Sequence, residues 1–163
     1  MTPEVHRLVA LDRVGPHGAS VVVEANAAEL AAVAARLGVP AVQAVRCAFK
    51  MRRVGGVIEA EGELSARLTQ VCVVSLDEFD GAVEDRFTIH FVPAGTEDEE
   101  PDPDAPDQVP FEGSSIDLGD AAVEQLALAL DPYPRRPGAE LPASSGDGPQ
   151  GAFAALATLR GKH

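Results

Sequence analysis

Cysteine is too scarce for a disulfide framework, since Cys47 and Cys72 are the only two. Reduced thiols and a cytoplasmic location are therefore expected. There is no tryptophan, and Tyr133 is the single tyrosine. No apolar run approaches the roughly 20 residues of a membrane span. No apolar stretch follows a basic start, so no signal peptide is expected. Four scattered histidines and two cysteines complete no metal-ligand spacing. No phosphate loop or nucleophile motif occurs, so neither an enzyme nor a cofactor is expected.

Positive charge is also unevenly missing. Between Pro93 and Asp131 there are 12 acidic residues and no Lys or Arg, while the remainder carries 14 acidic and 13 basic residues. A nearly neutral body thus carries an acidic segment, and the whole chain has a net charge of −13. That balance argues against general binding to the nucleic-acid backbone, which needs clustered cations. It suits a basic protein partner better.

Among what is present, periodicity predicts an α+β fold. It consists of an antiparallel sheet with one helix after the second strand and a C-terminal helix. Val5–Leu11 and Ala19–Glu24 read as strands joined at Gly15–Gly18. Asn26 caps a helix over Ala27–Leu37, and Gly38 ends it. Val54-Gly55-Gly56-Val57 reads as a two-residue hairpin turn. That turn pairs Arg52 with Glu59, Lys50 with Glu61 and Ala48 with Glu63 on one face. Met51 then meets Ala60, Phe49 meets Gly62, Cys47 meets Leu64 and Val45 meets Ala66 on the other. The strand continues, past a bulge, through Leu68–Val74. Ala82–Val92 is the last long strand.

Residues 1–92 thus form the sheet body. Residues 93–110 read as an acidic, proline-rich disordered linker. Residues 111–142 complete the domain: Asp117 caps a helix to about Leu130, with Val123, Leu126, Ala127 and Leu130 facing the core. Residues 143–163 read as a flexible tail with a short helix around Phe153, Leu156 and Leu159.

Two sets of residues are candidate contacts. Arg46, Lys50, Arg52 and Arg53 form a basic hairpin stripe that could contact RNA. The competing reading is a salt-bridged, solvated face, because glutamates lie opposite. Tyr133, Arg135 and Arg136 sit among Pro132, Pro134 and Pro137, which favour a semi-rigid extended strip. Such a strip holds a ring for stacking and guanidinium groups for phosphate or carboxylate. The competing reading packs Tyr133 on the core and sets the arginines against the acidic segment. Both cysteines read as buried core residues.

Three stretches carry a resemblance: Thr69-Gln70-Val71-Cys72-Val73-Val74-Ser75-Leu76, Ile116-Asp117-Leu118-Gly119 with Glu124, and Leu130-Asp131-Pro132-Tyr133-Pro134-Arg135-Arg136-Pro137-Gly138. Together they resemble the bacterial YceD-like family, closest to its alphaproteobacterial branch. A Cys-x-x-Cys found elsewhere in that family is here Cys72 and Ser75. The resemblance implies a non-enzymatic role in synthesis, processing or stability of large-subunit ribosomal RNA. The implied partner is a basic ribosomal protein, a processing enzyme or immature rRNA, with no membrane or small-molecule substrate. Tyr133, Arg135, Arg136, Asp117 and Glu124 are its candidate contact residues. An acidic adaptor unrelated to ribosomes is the alternative.

Overall fold

A computed structural model describes residues 4–140. The predicted tail and its short helix lie outside those residues. Seven strands and two helices follow the order β1 (Leu8–Ala10), β2 (Ala19–Glu24), α1 (Ala27–Leu37), β3 (Ala41–Val54), β4 (Val57–Val71), β5 (Glu78–Pro93), β6 (Asp107–Phe111), β7 (Ser115–Asp117), α2 (Leu118–Ala129). The class is α+β, as expected.

The main sheet has the order β2-β3-β4-β5-β6. The β3–β4 hairpin adopts the predicted register, with Arg52 opposite Glu59, Lys50 opposite Glu61 and Cys47 opposite Leu64. Gly55 takes a φ of 63° at the turn, which a side chain would resist. Period-two alternation puts Cys47, Phe49, Met51, Ala60, Leu64 and Ala66 in the core, and charged residues on the outer face. A bulge falls in β3 between Val42 and Ala44, on the partner of the predicted strand. The edge of Phe87 meets Phe49, with ring centroids 5.8 Å apart.

Helix α1 has its predicted limits. Asn26 accepts from the Glu29 N–H, and Glu29 reaches back to the Asn26 N–H, forming a capping box. Helix α2 starts on Asp117 as expected and buries Leu118, Ala121, Ala122, Val123 and Leu126. Of the predicted stripe, Val123 and Leu126 are buried and Leu130 packs against the core, whereas Ala127 is exposed.

Four expectations are corrected. The first strand is short and pairs with β7, not with β2. The end of the acidic segment is not a disordered linker: Asp107–Phe111 forms β6. There Val109 and Phe111 pack against the core. That pairing is parallel, with Ile89 opposite Asp107, so the sheet is mixed. Finally β4 stops at Val71, and Cys72–Ser75 lies in a turn and not in a strand.

Candidate partner-binding site

Leu130 leaves helical geometry at φ −69° and ψ 136°. Asp131 then accepts the Tyr133 N–H at 2.9 Å, turning the chain. Prolines 132, 134 and 137 hold φ near one value, so the segment runs extended. It is laid against the β4–β5 turn. The Val73 N–H donates to the Pro134 carbonyl at 3.0 Å. The Arg136 N–H donates to Cys72 Sγ at 3.4 Å, and the Arg136 guanidinium lies 3.5 Å from the Asp77 carboxylate. Two stretches that are separate motifs in the sequence are thus one unit in space.

Tyr133 is 71% exposed, so it does not pack on the core. Arg135 is exposed too, and Arg136 pairs with Asp77 and not with the acidic segment. Beside the strip a depression of about 510 Å³ opens between the end of α1 and α2, lined by Val39, Val71, Val73, Leu130, Pro132 and Pro134 among others. Its walls mix these apolar side chains with Arg36, Gln70 and Asp131, and it borders the exposed aromatic ring's own segment.

Cys72 is buried, as expected, but its surroundings differ from an apolar core. Its sulfur also receives the Ser75 N–H at 3.4 Å. The Ser75 side chain, the Ser75 N–H and the Arg136 N–H favour the thiolate and lower its pKa from 9.0 to about 6. Cys47 goes the other way, pushed up to about 12 by burial. Cys72 therefore ties the strip to the turn most firmly when ionised. Because its folded pKa lies below its unfolded one, the stability it adds is full above pH 9.0, declines as pH falls, and is gone below about 6. Wild-type stability is expected to climb with pH across that window and the Cys72→Ser variant to climb less. Parallel urea titrations would test this, and equal slopes would refute it.

Of the other candidates, Asp117 is committed within the chain. Asp117 Oδ1 accepts the N–H groups of Gly119, Asp120 and Arg7 at 3.0, 3.2 and 2.9 Å, and Oδ2 meets His6 Nδ1 at 2.6 Å. Gly119 packs its α-carbon under the Val5 carbonyl, where a Cβ would lie 2.4 Å from the oxygen. The Ile116–Gly119 motif thus clamps the N-terminal segment to α2. Arg7 extends that clamp to α1, donating to both Glu29 carboxylate oxygens at 2.8 and 2.9 Å and lowering the Glu29 pKa. The sequence reading missed this clamp. Glu124 lies on α2, where desolvation first and Asp120 second raise its pKa against the pull of Arg36.

On the hairpin, Arg52 meets Glu59 at 2.6 Å and Arg46 meets Glu24 at 3.3 Å. Arg53 donates to the Leu11 carbonyl. Lys50 sits in register between Ser20 and Glu61. On this face Arg46 and Arg52 pair with glutamates, while Lys50 lies in register with Glu61 without an ion pair among the described residues. Glutamates opposite the cations reduce the net positive field of this face. Among the described residues, no group of three or more His, Cys, Asp or Glu side chains is gathered as a metal site would require. No helix among them is long and apolar enough to cross a membrane.

What the fold and this surface define is an α+β protein with a clamped helix and an exposed Tyr/Arg strip. A family model described as "Large ribosomal RNA subunit accumulation protein YceD" matches residues 60–159, and the chain belongs to that family. The match takes in β4 from its fourth residue, the β4–β5 turn, α2 and the strip. No curated protein and no solved structure matches the chain.

Proposed function

We propose that this chain is a non-enzymatic, cytoplasmic factor that supports accumulation of large-subunit ribosomal RNA by binding a partner through its proline-rich strip. Family membership supports the role in large-subunit rRNA biogenesis. The observation that carries the mode of action is the strip itself. Tyr133 and Arg135 face solvent on a segment held by three separate contacts to the β4–β5 turn. A rigid, exposed aromatic and guanidinium pair loses little entropy on binding, which is how interface anchors work. The acidic loop after β5, with Glu97, Asp98, Glu99, Glu100, Asp102 and Asp104, would draw in a basic partner such as a ribosomal protein.

The test is cellular. Depletion is expected to lower large-subunit rRNA relative to small-subunit rRNA, with longer precursors accumulating. Arg135→Ala combined with Arg136→Ala should reproduce most of that loss while leaving the circular dichroism spectrum unchanged. Normal rRNA from the folded double variant would remove the strip from the mechanism. Normal rRNA after depletion would remove the function altogether.

A further inference from the structure

Leu76 is the single non-glycine residue with a positive φ among the described residues, at 61°. This backbone region crowds Cβ against the carbonyl, and leucine has no polar group to compensate as Asn or Asp does. Core burial does not repay the strain, since Leu76 is 75% exposed. The turn imposes the conformation: the Leu76 N–H closes onto the Cys72 carbonyl, and the Cys72 N–H onto the Asp77 carbonyl, both at 2.9 Å. Six other left-handed positions in the described chain are glycines. A leucine where glycine would fit better points to a need outside the fold.

Its location supplies the need. The turn that carries Leu76 is the one stapled to the strip through Val73, Cys72 and Asp77. Among the described residues, Leu76 at 75% is the most exposed large apolar side chain, followed by Tyr133 and Leu128 at 71%. Around them Asp77, Glu78, Asp80 and Asp131 are exposed and outnumber Arg135 and Arg136.

We propose that Leu76 and Tyr133 are joint anchors for a protein partner that offers an apolar pocket with a basic rim. The inference rests on the proposed function and names the partner class of the same surface. A protein fits better than RNA. An aliphatic side chain neither stacks on bases nor pairs with them, and a chain of net charge −13 repels a phosphate backbone.

The test joins two readouts in cells. The first is complementation of a depleted strain by Leu76→Gly. Glycine relieves the strain, so this variant should melt no lower than wild type. It should nevertheless lose most of the restored large-subunit rRNA. Full restoration by a folded Leu76→Gly protein overturns the proposal. The second places a photoreactive residue at position 76, with position 84 on the outer sheet face as control. Irradiation is expected to give an adduct at 76 that survives ribonuclease, is destroyed by protease, and drops about tenfold with Tyr133→Ala, as for an interface anchor. A ribonuclease-sensitive adduct, an adduct of twice the chain's mass, or equal yields at 76 and 84 each overturn it. If depletion alone leaves rRNA unchanged, the proposed function fails, while the adduct at 76 still reports on the surface.

Discussion

Gly119→Ala should destabilise the protein by about 3 kcal/mol, a fall in melting temperature of roughly 10 °C. In an exposed helix the same change would gain about 1 kcal/mol. Here the new methyl would stand 2.4 Å from the Val5 carbonyl oxygen, 2.7 Å from its carbon and 2.9 Å from the Arg7 nitrogen. All three are backbone atoms, so no rotamer change clears the space. The N-terminal segment must move off α2. That movement also breaks the Leu118 N–H bond to the Arg7 carbonyl and the Arg7 N–H bond to Asp117, at 3.0 and 2.9 Å. Gly62 makes a useful contrast. A Cβ there would meet the Phe87 ring at 2.2 Å, but that ring is a half-buried side chain that can swing. Gly62→Ala should therefore cost less than Gly119→Ala. Urea unfolding of both variants would settle the order, and a gain of stability in Gly119→Ala would sink the clamp.

Leu126→Ala should cost about 3 kcal/mol, as expected for a fully buried leucine whose surroundings cannot collapse completely. Leu126 has no exposed surface and lies in the last turns of α2, just before the strip. The cavity should loosen the helix end as well as lower global stability. Hydrogen exchange would separate the two effects. Amides of Leu130 and Tyr133 should exchange faster relative to those of β3 and β4. Uniform acceleration across the chain would show that the strip does not depend on this anchor. Unlike Gly119→Ala, this variant should also weaken partner capture under conditions where it remains folded.

Local patterns were legible in the sequence, and distant pairings were not. The β3–β4 register could be read because alternation and a Gly-Gly turn specify the same pairs. A slip by one residue would bury Lys50 and Arg52 and expose Phe49 and Met51. Helix α1 could be read because its cap and stop lie within its own neighbourhood. By contrast, Leu8 pairs with Asp117 and Ile89 with Asp107, contacts that no local rule specifies. Pro110 and the acidic run made β6 look like a linker, although the alternation of Val109 and Phe111 was a signal for a strand. Tyr133, Arg135 and Arg136 stood out by composition. Their attachment to Cys72 did not, because a turn and an extended strand were equally compatible with Cys-Val-Val-Ser. Nothing in the sequence marks Leu76 as left-handed, since that φ is set by the closing hydrogen bonds of the turn.

The partial cover that β6 gives to β5 has a consequence for how the molecule behaves in a crowd. Among the described residues, only Ile89–Pro93 of the strand Glu78–Pro93 has a neighbour on that side. From Glu78 to Thr88 no described strand pairs with the outer rim, and an unpaired rim of amides and carbonyls is a template on which another chain's strand could add. Glu78, Asp80, Glu84, Asp85 and Arg86 line that rim, four of the five with the same sign. Two copies meeting rim to rim would set carboxylates against carboxylates. The charges of one strand thus guard an edge that would otherwise invite stacked, fibre-like assemblies.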